Sequence, residues 1–406
     1  MLGKIRDNVY KIFVRVIIMY TVILKKNEEK KILNGYPWIY ANEVSKILGK
    51  DKQGSVAKVL SADGKFVCLG FINHLSKILI RVASLAEENI DESFLKEKII
   101  EANDYRLKLG YSDNYRVVFS ESDNLSGLIV DKYGEYLSVQ FLSLAMELRK
   151  NEIINILKEL FAPKGIYERN DVPIRLKEGL NENKGWIYGG GDPIVKITEN
   201  GLDLYVDLEN GQKTGYFLDQ KENRDNVKYY VKNKTVLDCF CNVGGFSLCA
   251  AKYGASKIYS IDTSEIALNY VRQNSALNGF NNIETVQADV FEKLREYRKE
   301  KKKFGVVILD PPAFTKSADT LKSALKGYKD VNIQGLKLVE KGGFLITCSC
   351  SQHLSVQGFL NMINESVFES GVKAKLVDFR TQARDHAAAI GTEQSLYLKA
   401  AVLYIM

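Results

Sequence analysis

Two thiols stand at the end of one apolar run. Phe344-Leu345-Ile346 reads as a buried strand and leads into Thr347-Cys348-Ser349-Cys350-Ser351. A second such run, Val306-Val307-Ile308-Leu309, ends in Asp310-Pro311-Pro312-Ala313-Phe314. If these strand ends meet beside a methyl donor, the chemistry they suit is thiolate-assisted methylation of a pyrimidine. A thiolate adding at C6 of cytosine makes the ring an enamine, and C5 can then attack a methyl group. A free thiol, with a pKa of about 8.5, is mostly protonated at neutral pH, so the cysteine needs activation. The addition also needs a donor at the N3 edge of the base, which a protonated Asp310 can supply. If the strand ends do not meet, the cysteines are small core residues and the prolines a structural turn.

Strand alternation puts Cys348 and Cys350 on the same side. Cys350 lies further out, where the strand should end, and is the expected nucleophile. Cys348 is expected in the core behind it, and Cys239, Cys241 and Cys249 read as packing residues, Cys241 beside the ligand loop. The two prolines fix φ and remove two N–H donors, which leaves the Asp310 side chain facing a substrate. Pro311, Pro312 and Phe314 are therefore candidate substrate contacts.

A nucleoside site is expected next to them. Asp238-Cys239-Phe240-Cys241-Asn242-Val243-Gly244-Gly245-Phe246 closes one strand and opens a helix, and its glycines let backbone approach a ligand. Asp238, Phe240, Asn242, Gly244 and Gly245 are the candidates there. Asp262 ends the next strand, where a carboxylate can accept both hydroxyls of a ribose. Asp289 ends the third, where it can meet an adenine amino group, and Asp310 ends the fourth. One acid at a strand end is commonplace. Acids at four successive strand ends point to S-adenosylmethionine. The loop lacks the G-x-G-x-x-G pattern, which disfavours a dinucleotide cofactor.

The elements that must position these residues alternate from Thr235 onward. Strands at 236–240, 257–261, 283–288 and 305–309 alternate with helices at 246–253, 264–278 and 290–297. This βαβ periodicity predicts an α/β fold with a doubly wound parallel sheet. A helix at 220–231 precedes it. Upstream, strand-like pieces at 20–25, 54–60, 66–72 and 78–82, with turns at Asn34-Gly35 and Asp63-Gly64, predict a small β-barrel with one short helix near 37–44. Residues 87–109 read as a linking helix. The middle zone mixes strands at 116–119, 128–131, 136–141 and 165–169 with a helix at 144–160. Lys132-Tyr133-Gly134 reads as a hairpin turn, and 178–191 as a glycine-rich loop. A hairpin is expected around Glu209-Asn210-Gly211, pairing 203–208 with 216–219. The resulting domains are 20–86, 87–200 and 201–406.

Bulk properties agree with a soluble, multidomain chain. The 406 residues are 46% hydrophobic and 26% charged, with 57 Lys plus Arg against 50 Asp plus Glu. The resulting charge of +7 permits a polyanionic partner without requiring one. Cysteines spaced C-x-C, with His74, His353 and His386 far apart, form no metal set, and they suit a reduced cytoplasmic setting. No apolar run is long enough to span a bilayer. The 9–20 run is broken by Lys11 and Arg15, and Met19 makes a second plausible start. Tyr36, Trp38 and Tyr40 are alternately spaced aromatics, suited either to a core or to stacking.

Taken together, the chain resembles the large-subunit ribosomal RNA cytosine-C5 methyltransferases of the RlmI type. The resemblance rests on Lys213-Thr214-Gly215-Tyr216-Phe217-Leu218-Asp219-Gln220, the Phe240–Phe246 loop, Asp310-Pro311-Pro312-Ala313-Phe314, Gly327-Tyr328-Lys329-Asp330 and Ser349-Cys350-Ser351. It covers the chain from about Tyr20 to the end. It implies an N-terminal PUA-like domain, a central α+β domain and a Rossmann-like class I methyltransferase domain. It also implies S-adenosylmethionine as cofactor, 23S ribosomal RNA as partner, and Cys350 at the nucleophile position of related enzymes. Lys213 becomes a substrate contact, and Tyr216 and Gln220 caps on the methyl donor. A cytoplasmic enzyme is implied, no membrane partner is expected, and a homodimer is allowed. One departure stands out: Ala313 follows the prolines where many such enzymes carry a second cysteine. The competing reading is an N-methyltransferase acting on a purine amino group, disfavoured because Ala313, not an aromatic, directly follows Pro312. A non-catalytic RNA-binding protein is disfavoured by the intact acids.

Overall fold

The computed structural model describes residues 20–49, 54–314, 320–392 and 395–406. The second start at Met19 lies outside the described residues. Strands β1 (Tyr20–Leu24), β2 (Trp38–Tyr40), β3 (Val44–Leu48), β4 (Val56–Leu60), β5 (Phe66–Ile72) and β6 (Ile78–Ser84) form one sheet in the order β2-β6-β5-β4-β1-β3. In β1 and β4 buried positions alternate with partly exposed ones, as a sheet with one face on a core requires. That core gathers Val22, Leu24, Ile39, Val59 and Ile72. The short helix is Glu29–Leu33, not 37–44. Residues 37–44 instead supply β2 and a single 3₁₀ turn, because Ile39 is drawn into the core while Trp38 and Tyr40 face outward.

The helix Glu92–Lys108, capped by Asp91, leads to a five-stranded sheet in the order β11-β10-β9-β8-β7. Its strands are β7 (Asn114–Phe119), β8 (Leu128–Tyr133), β9 (Tyr136–Phe141), β10 (Gly165–Arg169) and β11 (Lys184–Gly189). The expected loop at 178–191 thus holds a strand. Trp186 explains it: the indole packs on Tyr167 at 5.0 Å, over Gly165, where a Cβ would meet the ring at 2.5 Å. Tyr133 lies in β8 and the turn begins at Gly134. The expected 144–160 helix is two helices, Leu144–Leu148 and Lys150–Phe161. Arg149 sits between them, over the Phe71 ring and bonded to the Gly54 carbonyl.

The hairpin of this region is β12 (Ile194–Glu199) with β13 (Leu202–Asp207), turning at Asn200-Gly201, both with positive φ. The hairpin expected around Glu209-Asn210-Gly211 does not form. Asp207 accepts from the backbone N–H groups of Glu209 and Asn210 and closes a turn instead, and 216–219 runs into a 3₁₀ turn. The expected boundary between 200 and 201 falls within the β12–β13 turn.

The third sheet contains β14 (Thr235–Cys239), β15 (Lys257–Asp262), β16 (Ile283–Gln287), β17 (Phe304–Leu309), β18 (Val339–Ser349), β19 (Ala374–Arg380) and β20 (Lys399–Ile405). Their order is β16-β15-β14-β17-β18-β20-β19. All run parallel except β20, which is antiparallel to both neighbours. β17 is buried at every residue, as expected of a central parallel strand covered on both faces. Strand order reverses between β14 and β17, so a crevice opens at their carboxyl ends, the usual ligand position in such sheets. Arginines tie the units together, by ion pairs at the first junction and by hydrogen bonds to a backbone carbonyl at the second. Arg81 reaches Glu121 and Glu178 across the first junction, and Arg106, paired with Asp123 in its own unit, holds the Asp385 carbonyl across the second. No helix among the described residues is long and apolar enough to cross a membrane.

Candidate active site

The crevice is a cavity of ≈ 190 Å³, walled by four converging strand ends and by the 212–224 segment. From β14 come Phe240, Cys241, Asn242 and Gly245; from β15, Asp262; from β17, Asp310, Pro311 and Pro312; after β18, Cys350; and from the preceding segment, Lys213, Tyr216, Asp219, Gln220 and Arg224. Neighbouring strands put Cys239 level with Leu309, and Leu309 level with Thr347. Asp310 and the cysteine pair therefore emerge side by side.

The β14 loop is wound tightly. Phe240, Asn242 and Gly244 all have positive φ, at 62°, 51° and 87°. For a bulky residue such as Phe240 this conformation is strained, costing roughly 1–3 kcal/mol, and such strain gathers at ligand sites. Asp262 holds the turn in place. Its Oδ2 accepts from the Asn242 N–H at 3.0 Å and its Oδ1 from the Ser264 N–H at 2.9 Å. Gly245 must be glycine because a Cβ there would lie 2.6 Å from both Arg224 Cδ and Tyr216 Oη. Arg224 is itself fixed by a buried two-pronged pair with Glu199, at 2.7 and 2.9 Å.

Asp238 lies beneath the loop, fully buried. Ser247 donates to its Oδ2, while Oδ1 has no partner. Burial pushes this carboxyl up to about 7. Asp289 stands apart: it is exposed and caps the helix Val290–Lys299 by accepting from the Glu292 N–H. Gly244 serves the loop's conformation rather than its lining. Phe314 turns its ring onto Tyr328, 4.6 Å away, rather than into the cavity. Gly327 makes room for that ring, and the Tyr328 hydroxyl bonds Ser351 at 2.8 Å.

The electrostatics centre on two carboxyls and a lysine. Asp219 is buried and accepts from Lys213 Nζ and Tyr397 Oη, both at 2.5 Å. Burial opposes its charge, yet Lys213 and the other donors hold it below the ordinary carboxylate range. Asp310 accepts from Gln220 Nε2 at 2.9 Å. Burial, with the Asp219 charge adding, pushes it up to about 6. Burial pushes the Cys350 thiol up to about 11; Lys213 draws it down, and the Asp310 and Asp219 charges push it up. Cys348 is buried in the core against β17 and β20. Behind Cys350, the buried Lys399 donates to the carbonyls of Ser351, Leu354 and Tyr397, each at 2.7 Å, and so clamps the turn that follows the thiol.

Asp219, Arg224, Glu199, Tyr397 and Lys399 were not singled out from the sequence. Asp219 sits within the Lys213–Gln220 run, so the run itself was the signal. The others depend on β12 and β20, whose contact with the crevice no local pattern announces.

Comparison with known proteins agrees with this architecture. Residues 22–85 match the PUA-like domain model, and residues 176–371 match the model of S-adenosylmethionine-dependent methyltransferases. Ribosomal RNA large subunit methyltransferase I of Aeromonas hydrophila is 37% identical over 94% of this chain and 98% of its own. The protein of the same name from Klebsiella pneumoniae strain 342 is 36% identical over 95% and 98%. The chain belongs to the ribosomal RNA large subunit methyltransferase I family. The Escherichia coli O139:H28 member is 35% identical over 95% of this chain and 99% of its own. The family fold is also that of a Streptococcus mutans SAM-dependent methyltransferase, with a TM-score of 0.81 at 22% identity, covering 96% of this chain and all of that one. SMU.776, solved with SAH, has a TM-score of 0.82 at 22% identity and the same coverage.

The protein is thus an S-adenosylmethionine-dependent methyltransferase, and the crevice fits that cofactor. It presents a strand-end carboxylate at Asp262 and a glycine where a Cβ would collide, and behind its lining, beneath the loop, lies a buried Asp238 oxygen without a partner. If Asp262 carries the ribose, Asp262→Ala is expected to weaken S-adenosylmethionine binding about 10- to 100-fold, the loss associated with hydrogen bonds to a charged group. Titration calorimetry checks this, and unchanged affinity would remove Asp262 from the cofactor site.

Proposed function

We propose that the protein forms 5-methylcytidine in large-subunit ribosomal RNA in the cytoplasm, with Cys350 as nucleophile, Asp310 as the acid at N3, and Asp262 with the Phe240–Gly245 loop as the cofactor cradle. The supporting observation is that Cys350, Asp310 and Lys213 line the same small cavity as that loop. The names of the family's relatives specify large-subunit ribosomal RNA, and the PUA-like domain suits an RNA substrate. A cytosine must leave its stack before a thiolate can reach C6.

The Cys350 thiolate bonds to C6 while Asp310 gives its proton to N3. C5 becomes nucleophilic and takes the methyl group. A base then removes the C5 proton, the C6–sulfur bond breaks, the thiolate departs and N3 returns its proton. S-adenosylmethionine supplies the electrophilic methyl when bound. Lys213 favours the thiolate, and Pro311 and Pro312 hold the base edge against Asp310. No thiol follows Pro312, so the releasing base is another group.

The pH profile follows from these two groups. Reaction requires protonated Asp310 and ionised Cys350. Below about 6 Asp310 is already protonated, and kcat/KM rises tenfold per pH unit as thiolate forms. Between about 6 and 11 the loss of the acid cancels the gain of thiolate, so the profile is flat. In Asp310→Asn, whose activity is lower throughout, the bend near 6 is expected to vanish, and activity continues to rise through neutral pH. A bend that persists in the variant belongs to another group.

Nucleoside mass spectrometry tests the reaction itself. Ribosomal RNA incubated with the protein and isotope-labelled S-adenosylmethionine is expected to yield labelled 5-methylcytidine. Label confined to a purine amino group would overturn the proposal.

A further inference from the structure

We propose that a second cavity, where the three units meet, receives an unstacked nucleobase that neighbours the target cytosine in the same RNA. The inference rests on the proposed reaction at an RNA cytosine and deepens it.

The cavity has a volume of ≈ 210 Å³, and Trp38, Phe119, Ile129, Leu142, Gln352 and Tyr397 are among its walls. Each unit contributes one aromatic ring: Trp38 from the first sheet, Phe119 from the second and Tyr397 from beside β20. All three are anchored. Trp38 Nε1 donates to Glu121 Oε1 at 3.0 Å, and its ring meets Tyr36 edge-on at 5.8 Å. Phe119 lies 6.1 Å from Tyr397 and 5.5 Å from His386, with the Arg116 guanidinium 5.1 Å from its centre. Glu121 Oε1 is taken by Trp38, Arg81 and Ser126, and Oε2 by Ser120, so this carboxylate anchors the wall.

Two residues link this cavity to the candidate active site. Gln352 stands two positions after Cys350, and its exposed carboxamide makes no hydrogen bond among the described residues. Tyr397 lines the second cavity with its ring and donates to Asp219 in the first with its hydroxyl. Rigid aromatic walls with one uncommitted amide, able both to donate and to accept, suit a planar heterocycle with polar edges. RNA supplies such a group at the right moment: flipping the target cytosine leaves the adjoining base without a stacking partner. The placement also accounts for the outward-facing Trp38 of β2, which the first sheet's core does not use.

The test uses a synthetic RNA hairpin carrying the cytosine that the enzyme methylates in ribosomal RNA. One nucleotide at a time, on either side of that cytosine, is made abasic or replaced by 2-aminopurine. At one position, loss of the base is expected to raise the wild-type KM about tenfold with kcat changed less than twofold, a typical loss for a stacked base. At that position 2-aminopurine fluorescence should fall on binding. Gln352→Ala and Trp38→Leu should raise KM on intact RNA and lose most of the response to the abasic site. Should Trp38→Leu fail to fold, the exposed Gln352→Ala decides. Cytosine methylation with the same KM on every abasic RNA would overturn the second pocket and leave the proposed reaction standing, as would variants that respond to the abasic site as fully as wild type. Methylation of a purine instead would overturn the reaction and this inference together.

Discussion

Cys350→Ala is expected to lower methyl transfer by about 10⁴-fold or more, because it removes the group that makes C5 nucleophilic. S-adenosylmethionine binding should survive, since the proposed cofactor contacts are made by the β14 loop and Asp262 and the thiol is not one of them. The neighbouring Cys348→Ala separates chemistry from packing. Cys348 is fully buried against β17 and β20, so its truncation should cost about 1 kcal/mol of stability and less than tenfold in rate. Single-turnover methylation assays on both variants, alongside calorimetric titration with S-adenosylmethionine, distinguish the two roles. A Cys350→Ala enzyme that still methylates cytosine at the wild-type rate would remove the thiol from the mechanism.

The second large effect concerns stability. Glu199 and Arg224 are both almost wholly buried, bonded at 2.7 and 2.9 Å, with Tyr216 Oη donating to Glu199 at 3.3 Å. Arg224 also donates to the Phe217 carbonyl and packs against Gly245. Glu199→Ala leaves a buried guanidinium without its counterion, a change that typically costs about 3–5 kcal/mol. For a domain of this size that corresponds to a fall of about 10 °C in melting temperature. The expected result is an earlier unfolding transition in differential scanning calorimetry and weaker S-adenosylmethionine binding, because Arg224 walls the cavity. The double variant Glu199→Met with Arg224→Met should recover part of the loss, since it leaves no unpaired charge. A single variant that melts with the wild type would show that the pair carries no net stability.

The legibility of this protein in its sequence varied with the range of the interactions. β14, β15, β16 and β17 announce themselves as apolar runs separated by amphipathic helices, and each was placed within a residue or two. Asp262 and Asp310 were readable for the same reason: they terminate strands whose direction the βαβ pattern dictates. The failures occurred where distant packing overrides local composition. Lys184–Gly189 looks like a polar, glycine-rich loop, but Trp186 needs the Tyr167 face and brings β11 into the sheet. Glu209-Asn210-Gly211 has hairpin chemistry, yet Asp207 satisfies the backbone there, and the strands pair across Asn200-Gly201 instead. Asp289 stands at the end of its strand as expected, and one of its oxygens also caps the helix that follows, a common use of aspartate in that position. Lys399 carries no local signal: its role depends on β20 being antiparallel beside β18, where Lys399 pairs with Ser349, just before the thiol.

The central claim is a covalent bond between Cys350 and C6 of a cytosine. It is tested most directly with ribosomal RNA fragments carrying 5-fluorocytidine at the methylated position, in the presence of S-adenosylmethionine. Fluorine at C5 cannot leave as a proton does, so the adduct cannot resolve. The expected result is a protein–RNA complex that survives denaturing electrophoresis, maps by peptide mass spectrometry to Cys350, and is absent from Cys350→Ala. Methylation of the unmodified fragment with no adduct on the fluorinated one, or an adduct on Cys348, would contradict the account.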